Sequence, residues 1–229
     1  LALSANYYNT LWLNRTRSFF VVDSSGAESA IYLQGMNANH SGVEIEASIK
    51  PMDDLRIDIG ASFGDWVLLD DLDGEYTDYS SGAAVSTDVN YYVGGLHVGD
   101  APQNQIMGSI TYTGIKGMNA RLSMRHYDKF FSDWNVFDRD DAADAGVESW
   151  QIPSFTLVDL NLNYRLPFDF NGTTVDAFVH VLNLTDALYI QDAVDNSRYN
   201  DYDGDHDADD AEVFLGLPRR FNVGMKINF

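Results

Sequence analysis

Twelve residues near the C-terminus, DYDGDHDADDAE (Asp201–Glu212), hold the densest set of potential metal ligands in the chain. Numbered from Asp201, acids fall at positions 1, 3, 5, 7, 9, 10 and 12. The calcium loop of an EF-hand takes side-chain oxygens at positions 1, 3 and 5, a Gly at 6 for the sharp turn and a Glu at 12. Asp201, Asp203, Asp205 and Glu212 match that register, and Asp207 adds a further alternate carboxylate. Position 6 is His206 rather than Gly, and flanking helices are not suggested. The donors are hard oxygens suited to Ca2+ or Mg2+. Ca2+ is the candidate cofactor, and the plainer reading is a solvated acidic loop tip. A second acidic tract, DWVLLDDLDGEYTD (Asp65–Asp78), is less regular, which favours the plainer reading more strongly.

Other chemistry is poorly supported. The histidines, His40, His97, His126, His180 and His206, are scattered, with no HExxH and no local Ser-His-Asp signature. His180 shares a strand face with Asp176, which reads as a hydrogen-bonded histidine rather than a catalytic one. No P-loop or GxGxxG occurs, so an enzyme is not expected. The chain of 229 residues carries 35 acidic and 14 basic residues, a net charge of −21. That disfavours nucleic acid as a partner, because phosphates are repelled. There are no cysteines, hence no disulfide framework and no thiolate metal site.

The elements that position these residues are visible as period-2 alternation, the mark of strands with two unlike faces. In FNVGMKINF, Phe221, Val223, Met225, Ile227 and Phe229 oppose Asn222, Gly224, Lys226 and Asn228. TLVDLNLNYRL, MNARLSMRHY, LRIDIGASF and GVEIEASIK repeat the pattern, and QIMGSITYT, VDAFVHVL and ALSANYYNTLW follow it less cleanly. These are eight strands of roughly 9–11 residues, the length a tilted strand needs to cross a bilayer. Short turns at Pro51–Asp54, Gly114–Gly117 and Pro167–Gly172 alternate with long polar stretches at about 15–40, 66–102, 129–152 and 191–216. Loops sorted in this way, with a charge-free apolar face, indicate an antiparallel transmembrane β-barrel. Tyr7, Tyr8, Trp12, Trp66, Tyr112, Tyr127, Trp134 and Tyr189 are the expected interfacial girdles. A soluble sandwich would instead bury its apolar faces against a second sheet. No apolar run reaches the roughly 20 residues of a membrane helix, and no signal peptide opens the chain.

Several stretches resemble the C-terminal half of a TonB-dependent outer-membrane receptor, in a style closest to Bacteroidetes-type bacteria. They include NANHSGVEIEASIKP, HVGDAPQNQIMGSITYTGIKGM, SWQIPSFTLVDLNLNY, NLTDALY (Asn183–Tyr189) and GLPRRF (Gly216–Phe221) before a strand that ends in Phe229. The resemblance implies that residues 1–229 are about eight C-terminal strands of a 22-stranded barrel, with the plug domain, the earlier strands and the TonB box absent. It implies active uptake of a scarce nutrient, whether siderophore-iron, cobalamin, oligosaccharide or peptide, across the outer membrane of a Gram-negative cell. The implied partners are the lipid bilayer and lipopolysaccharide, the protein's own N-terminal plug, TonB through the missing N-terminal region, and the barrel-assembly machinery that reads Phe229. Acidic loops can share divalent cations with lipopolysaccharide phosphates. Two alternatives stand beside it. One is a complete eight-stranded barrel with an adhesin or structural role, whose interior holds only its own side chains. The other is an outer-membrane hydrolase.

Overall fold

The computed structural model describes residues 1–22, 28–80, 83–167, 172–197 and 203–229. In chain order the strands are β1 (Ala2–Val22), β2 (Glu28–Met52), β3 (Leu55–Leu68), β4 (Leu72–Asp78), β5 (Val85–Tyr91), β6 (Asn104–Tyr112) and β7 (Met118–Asp128). They continue as β8 (Phe130–Phe131), β9 (Gln151–Ile152), β10 (Phe155–Arg165), β11 (Thr174–Leu182), β12 (Ile190–Val194), β13 (Glu212–Leu215) and β14 (Arg220–Asn228). A single 3-10 turn, Ala142–Asp144, is the one helical element among the described residues, so no helix there is long and apolar enough to cross a membrane.

The protein is an all-β, antiparallel structure. The eight alternating segments form the meander β1-β2-β3-β6-β7-β10-β11-β14, each strand paired with the next. The register keeps every alternation in phase. Ile49, Ile57, Ile110, Leu122, Leu160, Val181 and Phe221 lie opposite one another across seven strands. On the other face Arg56, Thr111, Arg121, Asn161, His180 and Asn222 do the same. A slip of one residue in any pair would mix the two rows, so the pattern fixes the pairing. Among the described residues β1 pairs only with β2 and β14 only with β11, so the sheet they form is open, with two free edges.

Among the described residues no second layer covers the apolar face, although Val181, at the cap end of β11, is buried. Leu3 is 73% exposed, Phe221 and Val223 are each 69% exposed and Met225 is 72% exposed. Burial lies elsewhere. The three turns between β2 and β3, β6 and β7, and β10 and β11 are at one end, as the spacing predicts; of the third, residues 168–171 lie outside the described residues. The described residues of all four long connections are at the opposite end. They are not simple polar loops, as expected, but a folded cap. The first two strands run to 21 and 25 residues, well past the 9–11 expected. Their far halves continue as a hairpin to which β4 and then β5 add. Ile31, Leu33, Leu68, Leu72, Val93, Leu96 and Trp134 pack as the core of this cap. Two breaks in register near Asn14 mark where the hairpin leaves the main sheet. There Asn14 holds a positive φ of 54° and its N–H donates to Asn37 Oδ1.

The expected aromatic girdle is corrected by this register. Tyr7 and Tyr112 lie on the apolar face, opposite Val43 and Ala120. Tyr8, Trp12 and Trp66 have the opposite parity and stand on the polar face, as does Tyr127 opposite Gln105. Trp134 is 5% exposed in the cap core, and Tyr189 stacks on Phe155 at 4.7 Å. Strand parity, not aromatic character, decides which face a ring takes.

Candidate functional site

The polar face of the meander lines a recess of about 850 Å3 that includes Arg56, Asp58, Arg121, Arg125, Asp159 and His180. Most of its charges are paired. Arg165 and Asp176 stand directly opposite on β10 and β11 and bond through Nε at 2.7 Å and Nη2 at 3.1 Å. Arg125 donates to Asp159, and Arg56 to Asp58 on its own strand. Such solvated pairs are screened by water and add little to stability. Asp176, the expected neighbour of His180, is taken by Arg165 and Asn228, and the His180 ring lies 5.0 Å from Phe178 instead.

Towards the cap the same face changes character. Gly42 and Gly64 are register partners on β2 and β3. A Cβ on Gly42 would come within 2.5 Å of Tyr8 Oη, and one on Gly64 within 2.8 Å of Trp66 Nε1. The missing side chains let both rings lie down on the sheet. Trp66 Nε1 donates to Tyr8 Oη at 2.8 Å and fixes the pair, and His40 meets the Trp66 ring edge-on at 5.3 Å. Beside them opens a second recess of about 500 Å3, which Asn6, Glu44, Glu46 and Gln105 also line. Composition gave no hint of it, but parity could have, because Tyr8 alternates with Ser4 and Asn6 rather than with Leu3 and Tyr7.

The acidic turn lies in the cap, between β12 and β13. Asp201 lies outside the described residues. Asp203, Asp205, Asp209 and Asp210 each place a carboxylate oxygen within 4.8 Å of the others. Asp207 instead accepts from the Asp209 N–H at 2.9 Å, and Glu212 accepts from the Ser197 hydroxyl at 2.7 Å. The grouping thus differs from the calcium-loop register at two of its positions. Asp210 is fully buried and accepts from the N–H groups of Asp203 and Asp205, so one carboxylate shapes the turn. Hydrogen bonding to Asp207, desolvation and repulsion from neighbouring acids push the Asp209 carboxyl up to about 6. His206, at the position where a glycine was wanted, adopts the left-handed conformation all the same, with φ 66°. Its ring is buried and its Nδ1 meets Asp195 Oδ2 at 2.7 Å, while its backbone N–H donates to Asn196 Oδ1. These contacts outweigh the cost of that backbone.

Asp195 is the centre of the cap's polar core. Besides His206 it accepts from Arg139 Nη2 at 2.8 Å and from the Trp150 N–H at 2.9 Å. Arg139 in turn donates to the Val147 carbonyl and the Ser149 hydroxyl. Burial alone would lower the basicity of His206, but its hydrogen bond to Asp195, the Asp195 charge and Asp144 overcome it and the net shift is upward. His97 is placed similarly at the base of the cap, stacked on Phe131 at 4.3 Å with Nδ1 2.5 Å from Glu148. His126 meets Thr156 across β7 and β10.

The two most specific sequence stretches interlock. Asn183 Nδ2 donates to the Leu217 carbonyl, and the Arg219 N–H donates to Asp186 Oδ1. The Tyr189 ring lies over Gly216, where a Cβ has no room. NLTDALY and GLPRRF therefore seat β14 beside β11. Phe229, at the free end of β14, is 99% exposed.

The fold and these sites define an open antiparallel sheet with one bare apolar face, one charged face and a packed cap. The chain matches no protein-family model and no curated protein.

Proposed function

We propose that this chain is the C-terminal part of the β-barrel of a TonB-dependent outer-membrane receptor, which takes up a scarce nutrient. One observation carries the reading. Eight strands keep their alternation in register, and apart from Val181 near the cap the apolar face they build carries no second layer among the described residues. In water such a face is unstable, whereas hydrocarbon is its natural surroundings. The two free edges favour a larger barrel over a closed eight-stranded one. Unpaired N–H and C=O groups cannot stand in lipid, so β1 and β14 must meet further strands. On this reading the short turns face the periplasm, the cap faces outward, and the charged face lines the bore against a plug. Phe229 then stands at the periplasmic interface as part of the assembly signal. Uptake driven through TonB, and outer-membrane location, follow from the resemblance of the sequence stretches.

The absence of cysteine makes the test clean. Single cysteines at Ile59, Ile110 and Val179 should resist a membrane-impermeant maleimide in outer-membrane preparations. Cysteines at Ser123, Asn161 and Asn163 should react once the bore is open to solvent. Equal labelling of both sets, or a monodisperse protein in plain buffer, would sink the proposal.

A further inference from the structure

We propose that the Tyr8–Trp66 pair, with the polar groups around it, is a subsite for a neutral oligosaccharide. The inference rests on the receptor reading only for its place in uptake. A pyranose ring has an apolar face of C–H bonds and a rim of hydroxyls. It needs a flat apolar surface beneath it and donors and acceptors around it. The glycine pair under Tyr8 and Trp66 supplies the flat surface, since both rings lie along the sheet instead of standing on edge.

The rim is supplied by the recess. Glu44 and Glu46 offer carboxylate acceptors, and Asn6 and Gln105 offer amides. Asn6 Nδ2 already holds one oxygen of Glu44 at 3.3 Å and orients it. Glu46 has no protein partner among the described residues. Tyr8 Oη accepts from Trp66, so its own proton is free for a ligand acceptor. A few fixed polar groups beside aromatic surface is the usual make-up of a small-ligand pocket, and about 500 Å3 falls within the usual range of roughly 300–1,000 Å3.

Charge narrows the class. Among the described residues no Lys, Arg or His lines this recess, and two carboxylates do, so phosphates and anionic iron chelates are repelled. A cation would satisfy the charge but would leave the amides and the tyrosine proton without use. Hydroxyl groups, which both donate and accept, use all of them.

The test is calorimetric titration of the natural full-length protein in detergent with maltohexaose, laminarihexaose and cellohexaose, and with trilysine as the cationic comparison. At least one hexasaccharide should bind, and Trp66→Ala should weaken it by about tenfold, the factor that corresponds to about 1.4 kcal/mol. Glu46→Gln leaves the rings and the sheet untouched, and it should weaken the same saccharide by about threefold or more. No binding of any hexasaccharide, binding that neither variant changes, or binding of trilysine alone would overturn the subsite. Insertion of the same preparation into lipid vesicles is followed in parallel. Insertion of the full-length protein without saccharide binding removes the subsite and leaves the receptor reading standing, whereas failure of the full-length protein to insert removes the receptor reading.

Discussion

Asp195 and Arg139 form an ion pair in which neither side chain has any solvent exposure, with Oδ2 and Nη2 2.8 Å apart. The same carboxylate holds His206 and the Trp150 N–H, so it joins the connection between β7 and β10 to the one between β11 and β14. Removing one member of a buried pair leaves the other charged and unpaired, at about 3–5 kcal/mol. Asp195→Asn should therefore loosen the cap and spare the sheet. Limited proteolysis should show new cuts within residues 129–152 and 195–212, with β6, β7, β10 and β11 protected as before.

The two faces should respond oppositely to charge. Val179 is on the apolar face at the middle of β11, and Val179→Lys should cost about 2–4 kcal/mol in a bilayer. Asn163 is on the polar face, and Asn163→Lys should change stability by less than about 1 kcal/mol. Urea unfolding of the protein in lipid vesicles measures both.

Asp100 has a pH signature. Desolvation and repulsion from Asp133 and Asp192 push its carboxyl up to about 6. A raised carboxyl binds its proton more tightly in the folded state. The resulting penalty is fully present above about pH 6, fades as pH falls, and is gone below the ordinary value of 3.8. Asp100→Asn should stabilise the cap at pH 7.5 and have no effect at pH 3.5. The side chain keeps solvent contact, so screening limits the gain to about 0.5–1 kcal/mol. Asn also tolerates the positive φ of 65° found there. Thermal unfolding at the two pH values is the measurement.

Gly224 sits under the Phe178 ring on the last strand pair, and an added Cβ would approach that ring to 2.5 Å. Gly224→Ala should cost about 1–3 kcal/mol by overpacking. Phe178→Leu in the same protein should recover part of the loss, since a smaller side chain gives way. Thermal unfolding in detergent of the single and double variants shows whether the two effects fail to add.

The Asp209 carboxyl should titrate near 6, and Asp207→Asn should bring it back towards 3.8, because Asp207 is the first cause of the shift. Carboxyl carbon NMR shifts follow both groups directly.

The residues that alternate carried their own structure. In TLVDLNLNYRL and FNVGMKINF each side chain declares its face by its neighbours two positions away, so strand, phase and facing rows follow from local chemistry. The loop sorting was legible for the same reason, since turns and long connections differ in length. Tyr8 and Trp66 show the limit of residue type as a guide. Aromatic character suggested a girdle, and the parity of the surrounding strand put both rings on the polar side.

The cap was not legible. Its strands are short and acid-rich, as in LDGEYTD, and many of the residues that bury Ile31 and Leu33, from Leu68 to Val136, lie far along the chain. Likewise His206 reads as a misfit for a tight turn until Asp195 and Asn196 are beside it. Alternation is a property of neighbours along the chain, so the sequence by itself determined the strands, their faces and their order. Which distant groups share a buried space depends on chain closure, and only the tertiary structure could decide the cap core, the Asp195 network and the ring pair over two glycines.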